Sequence, residues 1–321
     1  MRRGMIAAVL LAWLCAPGST LAQSWPGRPV TIVVPFTPAT GADIIARGLA
    51  PRLAERLGAN VIIDNRPGAS GNIGTEYAAR AKADGLTLLV TAGVFVNNAA
   101  VNRNLRYDPI GSFAPIVLLS TGAQCLIVGR NSEAKSVKEL VAAAKARPGA
   151  IFYGSPGNGT PHHMAMELFK LEAGIDLVHV PYKGFAGAIN DLIGGRVEAM
   201  ILPLPAATPY TQNGLVRMLA VISPERSPLF PNVPTIAQEG YAQMQAWNWY
   251  AMLAPAGTPP EIVARLNSDV NALLGDASVR EVLGKQGFTA AGGPPERLAS
   301  LMKAELERWT RVAVEAKITA D

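Results

Sequence analysis

One pattern constrains this chain more than any other. A short run of Val, Ile or Leu is followed by a glycine-bearing loop and then an amphipathic helix, and the unit repeats. VTIVVPF (30–36) gives way to TPATGAD and a helix from about Ala42 to Leu57, whose Ile45, Leu49, Leu53 and Leu57 fall four apart on one face. Gly58 stops that helix. VIIDN (61–65) leads through RPGASGNIG (66–74) to a helix through Tyr77 to Ala83, and then to LTLLVTA (86–92). Unbroken β-branched runs belong to strands buried on both faces, so the alternation predicts a mostly parallel, helix-covered sheet.

A second series follows an irregular, then extended stretch at 105–118. It runs through QCLIVG (124–129), a helix at 136–147, AIFYGS (150–155), a helix at 162–173, DLVHVPY (176–182), a helix at 185–193, VEAMIL (197–202) and RMLAVIS (217–223). The last segment opens with WNWYAMLAP (247–255) and continues with helices from Pro260, over 278–286 and over 295–316. One strand and three helices make a poor independent core; packing back on the first sheet would complete it. A chain of 321 residues has room for two domains. The pattern predicts two α/β lobes, 23–120 plus 250–321 and 121–249. Crossings near 118–124 and 247–252 would form a hinge, and the cleft between the lobes is the default ligand site.

Residues 1–22 stand apart from this pattern. Arg2 and Arg3 precede the apolar run MIAAVLLAWLCA, a Pro17-Gly18 breaker and small residues at Thr20 and Ala22, the layout of a cleavable secretory signal peptide. The run is too short to span a bilayer. Cleavage removes Cys15 and leaves Cys125 alone, so the exported chain has no internal disulfide and looks bacterial and periplasmic. Cys125 lies in a buried-strand pattern and reads as a small core hydrophobe. The net charge of +5 is modest and scattered, which argues against a nucleic-acid partner.

Three glycine-bearing turns sit where strands end and helices begin: PFTPATGAD (35–43), YGSPGNGTPHH (153–163) and VPYKGFAG (180–187). Helix starts present free backbone N–H groups and a partial positive potential, so turns from two lobes could hold an anion between them. Gly157, Gly159 and Thr160 could approach a carboxylate, while Thr160 followed by Pro161 also suits a plain helix cap. Asp43 either caps its own helix or accepts a bond from a ligand amine or a loop N–H. Asn97 and Asn98 either line the cleft or make a turn. Tyr182 and Lys183 precede the third turn, where Lys183 either neutralises an acid or is a solvated charge. Asn72 is placed to reach toward a ligand from the 66–74 loop, which otherwise reads as a turn.

Catalytic patterns are weak. YGSPGNGT lacks the lysine of a phosphate-binding loop, and Tyr153 stands where a nucleophile elbow around Ser155 would need glycine. Of the three histidines, His162 and His163 are adjacent and point about 100° apart on a helix, a poor chelating pair. No metal and no cofactor is expected. Trp247, Trp249 and Tyr250 read as hinge or core packing.

Taken in order, PFTPATGADIIAR (35–47), NRPGASGNIGTE (65–76), YDPIGSFAPI (107–116), GSPGNGTPHHMAMELF (154–169), VHVPYKGFAGAINDLIGGRVEAM (178–200) and FPNVPTIAQEG (230–240) resemble the Bug family, the solute-binding proteins of tripartite tricarboxylate transporters. The resemblance covers essentially the whole exported chain. It implies a type II periplasmic binding protein, two α/β lobes with a hinge and an interlobe cleft that closes on a small organic carboxylate. It also implies membrane permease subunits as partners. Carried onto this chain, the first-lobe loop is Phe36, Thr37, Pro38, Ala39, Thr40, Gly41 and Asp43. The second-lobe loop runs from Ser155 to Thr160, with His162 after it. Thr40-Gly41 stands where the family commonly has Gly-Gly, and only Ala42 intervenes before Asp43 where Pro-Ser or Pro-Thr is often present, which shortens or re-aims the first loop. The alternatives are a ligand-sensing subunit for a receptor kinase and a periplasmic hydrolase using Ser155 or a histidine. A monomer is expected.

Overall fold

The computed structural model describes residues 25–38, 40–102, 104–244 and 246–318. The proposed signal peptide and Ala39 lie outside the described residues.

The first sheet has six strands: β1 (Val30–Val34), β2 (Val61–Asn65), β3 (Thr87–Ala92), β4 (Phe113–Gly122), β10 (Asn248–Pro255) and β11 (Phe288–Ala290), in the order β11-β4-β10-β3-β1-β2. The second has five: β5 (Gln124–Gly129), β6 (Phe152–Ser155), β7 (Val178–Pro181), β8 (Ala199–Pro203) and β9 (Val216–Ile222), in the order β7-β6-β8-β5-β9. Helices cover both. In chain order they are α1 (Gly41–Leu57), α2 (Asn72–Ala79), α3 (Val94–Val101), α4 (Val137–Ala146), α5 (Pro161–Ala173), α6 (Phe185–Ile193), α7 (Leu204–Gln212), α8 (Pro260–Gly275), α9 (Ala277–Lys285) and α10 (Pro295–Glu315).

Side chains alternate across a strand, and β1 shows what that does here. Val30, Ile32 and Val34 face one layer, where they meet Ile45, Leu49 and Leu53 of α1 and Leu266 and Val270 of α8. Val33 faces the other, with Ala78 of α2, Phe95 of α3 and Leu298 and Met302 of α10. Both faces are therefore apolar, which is why the strand carries no polar alternation.

The sheets are not mostly parallel. β1 runs parallel to β2 and β3, and β6 to β7 and β8. β10 is antiparallel to β3 and β4, β11 to β4, and β5 to β8 and β9. The crossing requires this. β4 carries the chain out of the first sheet and, after Ala123, β5 carries it into the second; β10 brings it back beside β4 and must run the other way. Asn248 lies opposite Gly122 in that pair, and the Gln124 amide donates to the Ala246 carbonyl at 2.5 Å, tying the outgoing strand to the returning one. The short helices α3 and α7 and the three-residue β11 were not expected from the sequence.

The final helix also departs from expectation. Its first half packs on the first sheet, through Leu298 and Met302. Its last turns do not: Trp309, Val312 and Ala313 belong to the core of the second lobe, with Met166 and Phe169 of α5. Arg311 pairs with Glu172 at 3.2 Å across the same contact. The apolar stripe of α10 runs its full length, so one helix is shared by two cores.

Gly74 tests how tightly the first lobe is packed. A Cβ there would lie 2.6 Å from the Arg66 carbonyl oxygen and 2.8 Å from the Pro35 Cα, both backbone, whereas one at Gly48 would meet nothing within 4 Å. Gly74→Ala should destabilise the fold by about 1–3 kcal/mol, as overpacking does. Gly48→Ala, in mid-helix, should be neutral or stabilising. Thermal unfolding of the two variants checks both.

Candidate binding site

The two lobes meet across a cleft. Ala100 and Val101 of α3 pack against the second-lobe core. Between the lobes lies a cavity of about 280 Å³. From the first lobe, Phe36, Thr40, Gly41 and Ala42 line it at the start of α1, and Gly93, Val94 and Asn97 at the start of α3. Pro161 and His162 at the start of α5 face it from the second lobe, with Gln124 and Pro203 at the ends of β5 and β8. The returning crossing closes one side with Trp247, Asn248, Trp249 and Tyr250, and Glu305 and Trp309 of α10 complete it.

Three helix N-termini therefore converge on one space. α1 and α3 have no side-chain cap. The Thr40 hydroxyl turns outward to donate to the Thr37 carbonyl at 2.9 Å. At α5 the Thr160 hydroxyl accepts from the His163 N–H at 3.4 Å, and Pro161 occupies the first turn. Uncapped first turns present N–H groups and positive potential to whatever lies in front of them, an arrangement that suits an anion.

A second interlobe cavity of about 280 Å³ shares Val94 and Pro161 with the first. It is polar: Ser70, Asn72, Asn98 and Asn102 face Asn158, Gly159 and Thr160. Asn98 donates to the Ser70 carbonyl (2.9 Å) and to Asn72 Oδ1 (2.8 Å), and the Tyr107 hydroxyl donates to the same oxygen at 2.8 Å.

The residues singled out in the sequence are divided among these places. Phe36, Thr40, Gly41, Asn97 and His162 line the first cavity, and Gly159 and Thr160 the second. Thr37 and Pro38 are exposed on the outer side of the α1 loop. Asp43 is buried. It accepts from Arg47 Nε at 3.0 Å and Asn65 Nδ2 at 2.9 Å, fastening the helix start to the end of β2. The Tyr182 hydroxyl donates to Asp191 at 2.7 Å, while Lys183 is exposed. Asn97 and Asn98 sit on a helix rather than in a turn.

Ser155, Gly157, His163 and His179 form a separate network beneath the second-lobe loop. Ser155 Oγ lies 2.6 Å from His179 Nε2 and accepts the Gly157 N–H at 3.2 Å. The His179 ring stacks on His163 (centroids 3.8 Å apart, 9° between planes) and on Tyr153 (4.8 Å). His163 Nδ1 accepts the Gly159 N–H at 3.0 Å. The Tyr153 hydroxyl donates to Glu167, which also holds Lys170 at 2.9 Å. The Ser155–His179 distance is that of a nucleophile and its base, but Ser155 is fully buried and lines neither interlobe cavity. Its effect is to fix the backbone of the 155–160 loop. Among the described residues no group of three or more His, Cys, Asp or Glu is placed to hold a metal ion.

Sequence reasoning passed over Gln124, Pro203, Glu305 and Trp309. Glu305 could have been found: it interrupts the apolar stripe of α10, three residues after Met302 and four before Trp309. Its Oε2 accepts from the indole N–H groups of Trp309 (2.8 Å) and Trp249 (3.3 Å), and its Oε1 pairs with Arg308. Burial pushes its pKa up, against the pull of Arg308 and the two indoles.

All three histidines are held neutral. Burial lowers His162 from 6.5 to about 3, and lowers His163 and His179 to about 4, with the positive charge of Lys170 adding to the effect on both. The unfolded chain therefore binds more protons than the folded one between about pH 6.5 and 4, so stability is full above pH 6.5 and is lost as the pH falls through that window. The thermal midpoint should drop between pH 7 and 4.5, and His163→Gln should make that dependence shallower, as measured by calorimetry across the range.

Comparison with known proteins bears on this geometry. The family described as the tripartite tricarboxylate transporter family receptor matches residues 45–318. Protein BugT of Bordetella pertussis is 35% identical over 96% of this chain and 94% of its own length. A solved structure from R. palustris, Rpa4515 with adipate, is 40% identical with a TM-score of 0.76, covering 92% of this chain and 99% of that one. MatC from Rhodopseudomonas palustris, solved with bound malate, is 30% identical with a TM-score of 0.73, covering 90% and 99%. The shared architecture is the two-lobed periplasmic binding protein with a cleft between α/β halves, and this chain belongs to the tripartite tricarboxylate transporter receptor family.

Proposed function

We propose that this chain is a periplasmic solute receptor that takes a small organic carboxylate into its interlobe cleft and presents it to the membrane permease subunits of a tripartite tricarboxylate transporter. The observation that carries this reading is the convergence of two uncapped helix starts, α1 and α3, with the half-buried His162 of the opposite lobe on one interlobe cavity. That relatives were solved with adipate and with malate supports the ligand class. Residues 1–22 direct export and are removed, leaving the receptor in the periplasm as a monomer that does no chemistry on its ligand.

The lobes move as units about the paired crossing strands, with the last turns of α10 seated in the core of the second lobe. A carboxylate that enters the open form accepts N–H groups from the α1 and α3 starts, and closure adds His162. Because some of these bonds exist only in the closed form, the ligand shifts the hinge equilibrium. Each charge-assisted bond contributes about 1.5–3 kcal/mol net, so a few suffice for micromolar affinity.

Titration calorimetry of the exported chain with adipate, malate and benzoate, each beside its amide, tests the reading. An acid should bind and its amide should not; equal binding of acid and amide would end the carboxylate proposal. Gly41→Ala offers a second check. Its Cβ would lie 2.3 Å from the Tyr250 hydroxyl oxygen and 2.7 Å from Cζ, so the tyrosine must leave the cavity wall. Ligand affinity should fall about tenfold or more, a shift of about 1.4 kcal/mol, while the thermal midpoint of the unliganded protein stays close to that of the parent.

A further inference from the structure

The polar residues of the cleft specify more than an acid group, given that a carboxylate occupies it as proposed above. Gln124 lines the cavity and is 2% exposed. Its Nε2 donates to the Ala246 carbonyl at 2.5 Å and faces Asn248 Oδ1 at 3.5 Å. Two oxygens on that side fix the amide orientation, because the carbonyl end would be repelled there. Its Oε1 is left buried with no donor within reach. His162 is in the same condition: both ring nitrogens are buried and unpartnered, and its ring meets Phe185 edge-on at 4.7 Å. Held neutral, it offers one N–H and one lone pair. Buried polar atoms without partners are rare and destabilising, and a site that binds a polar ligand is where such atoms are retained.

The charges around the cavity sharpen the point. Among the described residues that line it there is no Lys or Arg. The one ionisable carboxyl is Glu305, whose oxygens are occupied by Trp249, Trp309 and Arg308. A second carboxylate directed at the crossing strands would face the acceptor of Gln124 and the acid of Glu305. Apart from Thr40, Asn97 and Asn248, the remaining wall is largely apolar and aromatic, with Phe36, Trp247, Tyr250, Pro161 and Pro203. A body that packs against the aromatic part of it is largely apolar.

We propose that the ligand is a monocarboxylate with a largely apolar body that carries one hydrogen-bond donor, a hydroxyl or a neutral N–H, and that Gln124 Oε1 is the acceptor that selects for it. Gln124 is thus a specificity residue of the cleft. The acid group lies at the helix starts and His162, and the donor points to the crossing strands.

Titration calorimetry of the exported chain with two matched series decides this. The first is hexanoate, 6-hydroxyhexanoate and adipate; the second is benzoate, the three hydroxybenzoates and their methyl ethers, with malate as a dicarboxylate that also carries a hydroxyl. In at least one series a hydroxy acid should bind about tenfold tighter than the parent acid, the gain of one buried hydrogen bond. It should also bind tighter than adipate and malate, and in the second series than its methyl ether. Gln124→Met should reduce the advantage of the hydroxyl over the parent acid to near unity. Adipate or malate binding tighter than every monocarboxylate would overturn the proposal and leave the carboxylate reading standing. So would equal binding of hydroxy and parent acids. Loss of the parent acid in Gln124→Met to the same degree as the hydroxy acid would reduce Gln124 to a structural tie. The comparison within the parent protein stands even where the variant fails to fold. Failure of every acid to bind would sink the carboxylate reading itself.

Discussion

The antiparallel pairing of β4 with β10 governs the rest of the molecule. A chain that leaves one sheet to build another and then returns must lay its outgoing and returning strands side by side, and these two run along most of their length together, Asn248 opposite Gly122 through Pro255 opposite Phe113. The pairing brings the ends of two sheets to face one another. Because β1, β3 and β6 are each followed by a helix, the helix starts point into the gap rather than away from it. The binding space is therefore a consequence of connectivity, and the loops that line it need only be short and free of obstruction. Gly93 shows how close the approach is: a Cβ there would lie 2.7 Å from Trp249 Nε1 on the crossing strand.

Burial then decides what the gap can hold. The histidines are neutral because desolvation outweighs any stabilising partner, and Glu305 is tolerated because two indole donors and Arg308 satisfy its oxygens. An anion brought into such a space meets dipoles rather than fixed positive charges. Dipoles at helix starts are preorganised and require no counterion to be displaced from the site, so affinity there depends on geometry and on closure. This suits a receptor that must release its ligand, since opening the hinge removes several of those bonds at once.

How much of this was legible in the sequence depended on the range of the interaction. Ile45, Leu49, Leu53 and Leu57 announced α1 because periodicity is local, and the exchange of strand for helix at each glycine loop announced two α/β lobes. Thr40 and Gly41 could be nominated for the cleft because helix starts are also local signals, whereas Asn97 was nominated from the loop after β3, without the helix that holds it. The strand directions were misjudged because they are set by the return of β10, some 130 residues after β4 begins, and nothing in VTIVV or QCLIVG encodes that. Asp43 looked available for capping because its partners, Arg47 and Asn65, come from a turn of helix ahead and from a different strand. Gln124 and Glu305 went unnoticed for the same reason. Each is one polar residue in an apolar run, and its meaning lies in neighbours that only the folded chain supplies.

The last helix shows where the mechanics of such a hinge must lie. Two crossing strands alone would leave the lobes free to rock about a narrow ribbon. α10 adds a third connection, with Met302 in one core and Val312 in the other. Glu305 sits between them, accepting from Trp249 of the crossing strand and from Trp309 of the helix itself. Any rotation of the lobes must bend or slide this segment past a buried carboxylate whose bonds it cannot easily give up, because an unpaired charge in that position is strongly destabilising. The least costly motion keeps Trp249, Glu305 and Trp309 together as a pivot and moves the outer edges of the cleft, where Val101 and Gly159 line the second cavity. The cavity wall nearest the pivot then stays fixed through opening and closing, and that is the wall that holds Gln124.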